Sequence, residues 1–531
     1  MNDRGGRFRV GALVAGVPDL VAGAGALDQE IVEVRDDSRK VQAGDLFVAI
    51  PGTAVDGRRF ADDAAARGAV ALVVEGPPPT FPGVVISVGN AHRALGVIAA
   101  NRFGAAAALE LIAVTGTNGK TTTTYLVESM LRAAGRSPGV IGTVSYRAAG
   151  WAGGAREAPL TTPGALALHG LFADMRAAGT TDVVLEASSI ALDQGRLEGC
   201  RFRVAGLSNL TLDHLDYHGT MERYFQAKAG LFERLMREPD GVGVTFVDQE
   251  AGRRMKALAR GRTLGVAVHP EAVPGGARDV DIAVVRAAQS ADGLRGEIAT
   301  PIGAIPFVSP LVGDFNLANI ALAVGMAVGH GLGREAIAAG IADLAGVPGR
   351  LQRVPNARGV LCVVDYSHTP DALERAIAAL RPLVPQAGPG HAAGRLLVVF
   401  GCGGDRDRGK RPIMGDAVAR DADIAIVTSD NPRTEEPESI LDMIVAGMRR
   451  PTLPELDAAA LPAAARGYHR EVDRRTAIQR AAAACRPGDV LLIAGKGHED
   501  YQILGKTKVH FDDREEAFAA LAPVTASEAP R

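Results

Sequence analysis

Cysteine is sparse in this chain and never arranged as Cys-x-x-Cys: Cys200, Cys362, Cys402 and Cys485 stand far apart. Neither a disulfide framework nor a zinc site is indicated, and a reducing cytoplasm is expected. An excess of either charge is also missing. Lys and Arg total 58 against 61 Asp and Glu, a net charge of -3, which points neither to nucleic acid nor to an anionic membrane surface. No apolar run is long enough to span a bilayer. Arg7 and Arg9 ahead of residues 10–17 imitate a signal peptide, but Pro18 and Asp19 interrupt the run, so a cytoplasmic start is expected.

What is present is an ordinary globular composition, 47% apolar and 22% charged. An excess of alanine and glycine suits close helix–sheet packing rather than disorder. A chain of 531 residues is too long for one core, and roughly three or four domains follow from length alone. Three are expected, over residues 1–105, 106–347 and 348–531.

The organising stretch is an apolar run, residues 111–114, that breaks into Thr115-Gly116-Thr117-Asn118-Gly119-Lys120-Thr121-Thr122. Residues 112–114 read as a buried parallel strand. Gly116 and Gly119 let backbone amides approach an anion, and the helix that follows presents its positive end to phosphate. Lys120 is placed to reach terminal phosphates, and the Thr121 hydroxyl their magnesium. The loop is shorter than the usual P-loop, since Val114 stands where the first glycine belongs.

Before this loop, residues 1–105 carry short apolar strands at 31–34, 46–50 and 69–74. Polar turns at Asp37-Ser38-Arg39 and Asp56-Gly57-Arg58-Arg59 could hold a phosphorylated ligand, although alone they read as solvated turns. After it, a second buried strand ends in Glu186-Ala187-Ser188-Ser189. Ligands in an open parallel sheet sit beyond the carboxyl ends of strands, so Glu186 is expected near the phosphate loop. A third strand at 204–207 leads to Asp213-His214-Leu215-Asp216-Tyr217-His218. There the two histidines suit either a zinc site or, beside a nucleotide, one magnesium ligand with the rest structural. Residues 220–232 read as a helix whose Lys228, on spacing alone, is a solvated charge. Asn316 and Asn319 open an alanine-rich helix and either cap it or face a base. In the last module four strands, at 361–364, 396–400, 424–427 and 490–493, each end in a cluster of Asp, Arg, His or Glu. Such recurrence at one sheet edge predicts a second ligand-binding rim. Residues 451–465 read as an inserted surface loop, and the tail after about 523 as frayed.

Taken together these motifs resemble the Mur ligase family, ATP-dependent amide-forming enzymes of bacterial cell-wall precursor synthesis. The resemblance rests on the short phosphate loop 115–122, Glu186 to Ser189, Asp213 to Asp216, Phe315 to Asn319 and Pro348-Gly349-Arg350. The rim signatures Asp365-Tyr366-Ser367-His368-Thr369-Pro370-Asp371, Gly403-Gly404-Asp405-Arg406-Asp407, Asp430-Asn431-Pro432-Arg433 and Gly495-Lys496-Gly497-His498-Glu499 are similar to members that add the third peptide residue. The resemblance implies an α/β fold of three domains, with a central P-loop ATPase domain and a Rossmann-like C-terminal domain. It implies ATP and magnesium as cofactors, with UDP-N-acetylmuramoyl-dipeptide and meso-diaminopimelate as substrates. A cytoplasmic monomer is expected, with no nucleic acid and no membrane insertion.

By the same resemblance, residues 116–122 with Asn316, Asn319, Arg350 and Asp365 would bind ATP. Ser38 would contact the uridine nucleotide, and Thr161, Thr162, Ser188, Gln194 and Arg196 the muramoyl-peptide. Lys228, carbamylated, would hold magnesium with Thr121, Glu186 and His214. Arg406, Asp430, Asn431, Pro432, Arg433, Gly495 and Glu499 would take the amino acid. The chain departs from the family pattern at Leu160 and Ile190, where Asn and His are frequent. Rival readings are an L-lysine-adding ligase, a folylpolyglutamate synthetase-like enzyme and a non-catalytic P-loop switch.

Overall fold

Short runs of valine, leucine, isoleucine and alanine bounded by glycine and polar turns become strands buried on both faces, as parallel sheets require. The computed structural model describes residues 7–522 except 24, 53–54, 275, 389–391 and 449–452. The tail expected to fray lies outside the described residues. Internal contacts divide the chain into two units, Met1–Val285 with Ile298–Ile305 and Asn319–Ile341, and Arg286–Glu297 with Pro306–Ala318 and Ala342–Arg531.

The first unit opens with a five-stranded sheet. Val34–Arg35, Leu46–Ala49, Ala71–Glu75 and Val84–Val88 run parallel, and Val21–Ala22 is antiparallel at the edge. The single strand expected at 31–34 is instead two, Glu30–Ile31 and Val34–Arg35. The first pairs with Phe8–Arg9, and between them Glu33 turns to meet the Arg102 guanidinium at 2.8 Å through both oxygens. That half-buried ion pair sits where the chain passes from one sheet to the other.

A larger sheet follows. Pro138–Ile141, Asp182–Glu186, Glu110–Thr115, Phe202–Leu207, Val242–Phe246 and Arg262–Ala267 lie side by side in that order, all parallel. Glu110–Thr115 is central, and its neighbours come from later in the chain on both sides. This reversal of strand order opens a crevice at the carboxyl ends, where such sheets bind ligands. The helix Lys120–Ala133 begins there. A buried cluster including Leu111, Ala113, Val183, Leu185, Phe202 and Phe232 covers one face.

The second unit has a six-stranded sheet in the order Gln352–Val354, Leu361–Asp365, Val490–Ala494, Leu396–Cys402, Ile424–Ser429, Gly467–Arg470. Only the first strand is antiparallel. The four strands expected to end in polar clusters are therefore parallel neighbours, and their clusters share one edge. Of the segment 451–465 read as an inserted surface loop, the described part from 453 is built into the fold. Leu453 and Leu461 are buried, and the buried Arg395 donates to the carbonyls of Leu461, Pro462 and Ala464. Alanine and proline gave no periodicity, whereas the carbonyls they expose satisfy a buried guanidinium.

Candidate active site

Glycine is required at both loop positions. A Cβ on Gly116, at φ +142°, would stand 1.9 Å from Ser208 Oγ, and one on Gly119, at φ +85°, 2.2 Å from Asn319 Oδ1. The loop is laced to the end of the neighbouring strand: Asn118 N donates to Asn209 Oδ1 at 3.0 Å and Thr117 N to Asn209 O at 3.1 Å. The Thr117 hydroxyl lies 3.1 Å from Tyr224 OH. Lys120, the first residue of its helix, donates to Gly116 O at 3.0 Å and Thr117 O at 2.8 Å. The ammonium is thereby held over the loop.

Lys228 is a correction to its reading as a solvated charge. It is 1% exposed, and its Nζ donates to the Gly116 carbonyl at 3.0 Å. The helix Met221–Glu233 sets Tyr224 and Lys228 four residues apart on one face, and the ammonium lies 4.4 Å from the Tyr224 ring centroid. Burial, followed by the charge of Lys120, drives the Lys228 pKa well below its ordinary value, favouring the neutral amine.

Glu186, at the end of its strand, is 1% exposed and fully engaged. Thr121 Oγ1 donates to Oε2 at 3.1 Å, Thr143 N to Oε1 at 2.9 Å and Thr143 Oγ1 to Oε2 at 2.9 Å. A side chain at Gly142 would strike Oε1 at 2.4 Å. Around this carboxylate the structure gathers the residues expected at the muramoyl-peptide. The Thr143 and Thr161 hydroxyls are 3.0 Å apart. The Thr162 hydroxyl donates to Glu186 O at 2.7 Å and accepts from Ser188 N at 3.0 Å. Arg196 reaches Thr162 O at 2.8 Å and Gln194 Oε1 at 2.6 Å. Leu160, at one departure, is half exposed, and its carbonyl accepts from Tyr146 OH. Ser38 sits apart from this cluster in sequence, in the one-turn helix Ser38–Lys40 capped by Asp37.

His214 adopts φ +51° and lies 3.5 Å from Asp213, while His218 is buried against Ser189 Oγ at 3.0 Å with its pKa lowered by burial. Among the described residues no three His, Cys, Asp or Glu side chains converge as a metal site. The hard oxygens of Thr121 and Glu186 suit magnesium, which takes few protein ligands and completes its shell with phosphate and water.

In the second unit Asn316 Nδ2 donates to Val312 O at 2.7 Å. Asp365 is buried, accepts from Leu351 N at 2.7 Å and from Ser367 Oγ, and its pKa is raised by burial. Arg350 lies 5.3 Å from the Tyr366 ring. At the rim, Asn431 Nδ2 donates to Glu499 Oε2 at 3.1 Å, and burial, followed by the charge of Asp430, raises the Glu499 pKa. Arg433, at φ +53°, donates to Gly404 O at 2.8 Å. Pro432 precedes it, and Arg406 is exposed with a bond to its neighbour's carbonyl, Asp405 O, at 3.1 Å. Gly495, at φ +123°, turns the chain toward Glu499. Sequence reasoning missed Thr143 and Tyr224, since their partners Glu186 and Thr117 lie 43 and 107 residues away along the chain.

A central parallel sheet, a glycine loop entering a Lys-Thr helix and a buried carboxylate on the adjacent strand define a P-loop protein of the α/β class with a second α/β unit. The chain belongs to the Mur ligase family. Residues 30–103 match the model for the Mur ligase family, catalytic domain, residues 114–327 that for the Mur ligase middle domain, and residues 349–497 that for the Mur ligase, glutamate ligase domain. Among its relatives is the UDP-N-acetylmuramoyl-L-alanyl-D-glutamate--2,6-diaminopimelate ligase of Geobacter sulfurreducens, 45% identical over 96% of this chain and 97% of that one. The protein of that name from Gloeobacter violaceus is 46% identical over 93% and 94%. A solved structure of a UDP-N-acetylmuramoyl-L-alanyl-D-glutamate--2,6-diaminopimelate ligase matches with a TM-score of 0.69 at 33% identity, over 97% of this chain and 99% of that one.

Proposed function

We propose that this protein is an ATP-dependent ligase that joins meso-diaminopimelate to UDP-N-acetylmuramoyl-L-alanyl-D-glutamate in peptidoglycan precursor synthesis. The observation that carries this reading is near full-length identity of about 45% to ligases of that name. Rim chemistry agrees: the Arg433 guanidinium makes no ion pair among the described residues, and so is available to a ligand carboxylate.

A carboxylate and an amine do not condense at neutral pH. The γ-carboxylate of the D-glutamate residue attacks the terminal phosphorus of ATP, the phosphoanhydride bond breaks and ADP leaves, giving an acyl phosphate. The diaminopimelate amine then attacks the acyl carbon, phosphate departs and the nitrogen loses a proton. In this scheme the amides of residues 116–119 and Lys120 bind the phosphates and stabilise the charge that builds during transfer. Magnesium, when bound, supplies positive charge at the phosphate oxygens. Thr121, Glu186, His214 and a carbamylated Lys228 are its candidate holders, with Asn316, Asn319, Arg350 and Asp365 at the remainder of ATP. Thr161, Thr162, Ser188, Gln194 and Arg196 orient the muramoyl-peptide, and Ser38 the uridine nucleotide. The protein works as a cytoplasmic monomer. Among the described residues no helix is long and apolar enough to cross a membrane.

The test is ADP release by the purified protein with ATP and magnesium. Release is expected only when UDP-N-acetylmuramoyl-dipeptide and meso-diaminopimelate are both present. Release without the dipeptide, or equal stimulation by L-lysine, would overturn the reading.

A further inference from the structure

At the rim a lysine with no surface at all stands between two carboxylates. Lys496 follows the strand Val490–Ala494, its side chain is 0% exposed, and glycines flank it at φ +123° and +56°. Its Nζ donates to Asn431 Oδ1 at 3.0 Å and Tyr501 O at 2.7 Å, and lies 3.3 Å from Asp430 Oδ1 and 3.9 Å from Glu499 Oε2. An ammonium has three donors; two are spent on Asn431 and Tyr501, and the charge itself is shared between Asp430 and Glu499.

Two consequences follow. Asn431 Oδ1 also accepts from Ile503 N at 3.0 Å, so two donors fix the amide's orientation and its Nδ2 must face Glu499. The same ammonium grips the first residue of the hairpin Tyr501–Leu504 and Thr507–His510. That hairpin is bonded to the backbone of Arg433, through Arg433 N to Ile503 O at 3.1 Å and Gly505 N to Arg433 O at 2.9 Å. One buried cation therefore joins the loop of Asp430 to Arg433, the loop of Glu499 and the hairpin. The nearby Arg474 also feels Asp430 and Glu499 but is matched directly by Asp513 at 2.6 Å, so among the described residues Lys496 is the cation within ion-pair distance of both carboxylates.

We propose that Lys496 is a positioning residue for the amino-acid substrate. It fixes Asn431, Glu499 and the backbone of Arg433 in one arrangement, and it leaves the Asp430–Glu499 pair with one uncompensated negative charge that the ammonium of an incoming diamino acid neutralises. This rests on the ligase reading above. Burial lowers the Lys496 pKa, and the charge of Asp430 opposes the shift.

The experiment measures KM for each of the three substrates by ADP release in the wild type and in Lys496→Met and Lys496→Arg. For Lys496→Met the amino-acid KM should rise about 100-fold, as when one partner of a buried charge pair is removed, with the KM values for ATP and UDP-substrate within about twofold of wild type. Lys496→Arg, which keeps the charge, should recover part of that loss. An unchanged amino-acid KM, or an equal rise in all three, would overturn the proposal. If Lys496→Met does not fold, Lys496→Met with Asp430→Asn removes the charge and its closest partner together. That double variant should exceed Asp430→Asn alone by about 10-fold or more in amino-acid KM, and equality would count against the proposal. A wild type that no amino acid stimulates would overturn the ligase reading and this inference with it. A responsive wild type beside unaffected Lys496 variants would overturn this inference alone.

Discussion

Thr143 holds both oxygens of Glu186, its amide on Oε1 and its hydroxyl on Oε2, each at 2.9 Å. The carboxylate is thereby aimed at Thr121. Thr143→Val keeps the amide bond and the side-chain volume but loses the hydroxyl. A hydrogen bond to a charged group contributes about 1.5–3 kcal/mol. The magnesium concentration for half-maximal ADP release should therefore rise roughly 10- to 100-fold, with the thermal midpoint nearly unchanged. A titration matching wild type would remove Thr143 from the site.

Lys228 is buried against Gly116 O, and its environment favours the neutral amine, the form that reacts with carbon dioxide to give a carbamate. Lys228→Ala should lose activity by about 100-fold or more, the scale of an electrostatic group in the transition state. A short carboxylic acid added to the buffer should restore part of it. Full activity without rescue would show that the lysine only fills space beneath the loop.

Arg433 has acidic neighbours in sequence, Glu435 and Glu436, and the first of them is not its partner. Glu435 is held by Arg411 at 2.8 and 3.0 Å and by Arg408 at 3.2 Å. Substrates that differ by one carboxylate are separated most strongly by a site that would otherwise leave a desolvated cation unmatched, up to about four orders of magnitude, and Arg433 is half-buried. Wild type should prefer meso-diaminopimelate to L-lysine strongly in kcat/KM, and Arg433→Ala should collapse that preference mainly through the loss of diaminopimelate. An unchanged preference in the variant would place discrimination elsewhere.

Stability in acid has a specific source at Asp182, which opens the strand carrying Glu186. Burial raises its pKa, but His330, Arg136 and Thr181 bond it and bring it down to about 2. A folded value below the unfolded one contributes stability that is present at neutral pH and lost as pH falls through about 2. The contribution is about 2 kcal/mol at pH 7. Asp182→Asn should lower stability at neutral pH by about that amount and flatten its decline between pH 4 and pH 2 in urea unfolding. A decline as steep as wild type would assign it to other carboxylates.

Much of this protein is determined within short stretches of sequence. The loop 115–122, the carboxylate ending the strand Asp182–Glu186 and the four polar strand ends of the second unit are legible because glycine, charge and apolar runs act locally. Parallel pairing then brings the strand ends to one edge. Tertiary structure decided what depends on distance through space. Lys228 reads as an ordinary charge until packing removes water from it, and burial is a property of neighbours many residues away. Thr143 reaches Glu186 across 43 residues and Arg395 reaches Ala464 across 69, contacts that leave no period or motif in the chain. Threonine at 143 and alanine at 464 carry no signal alone. Their roles arise because the adjacent strands Pro138–Ile141 and Asp182–Glu186 bring one pair together, and a buried guanidinium needs the carbonyl of the other.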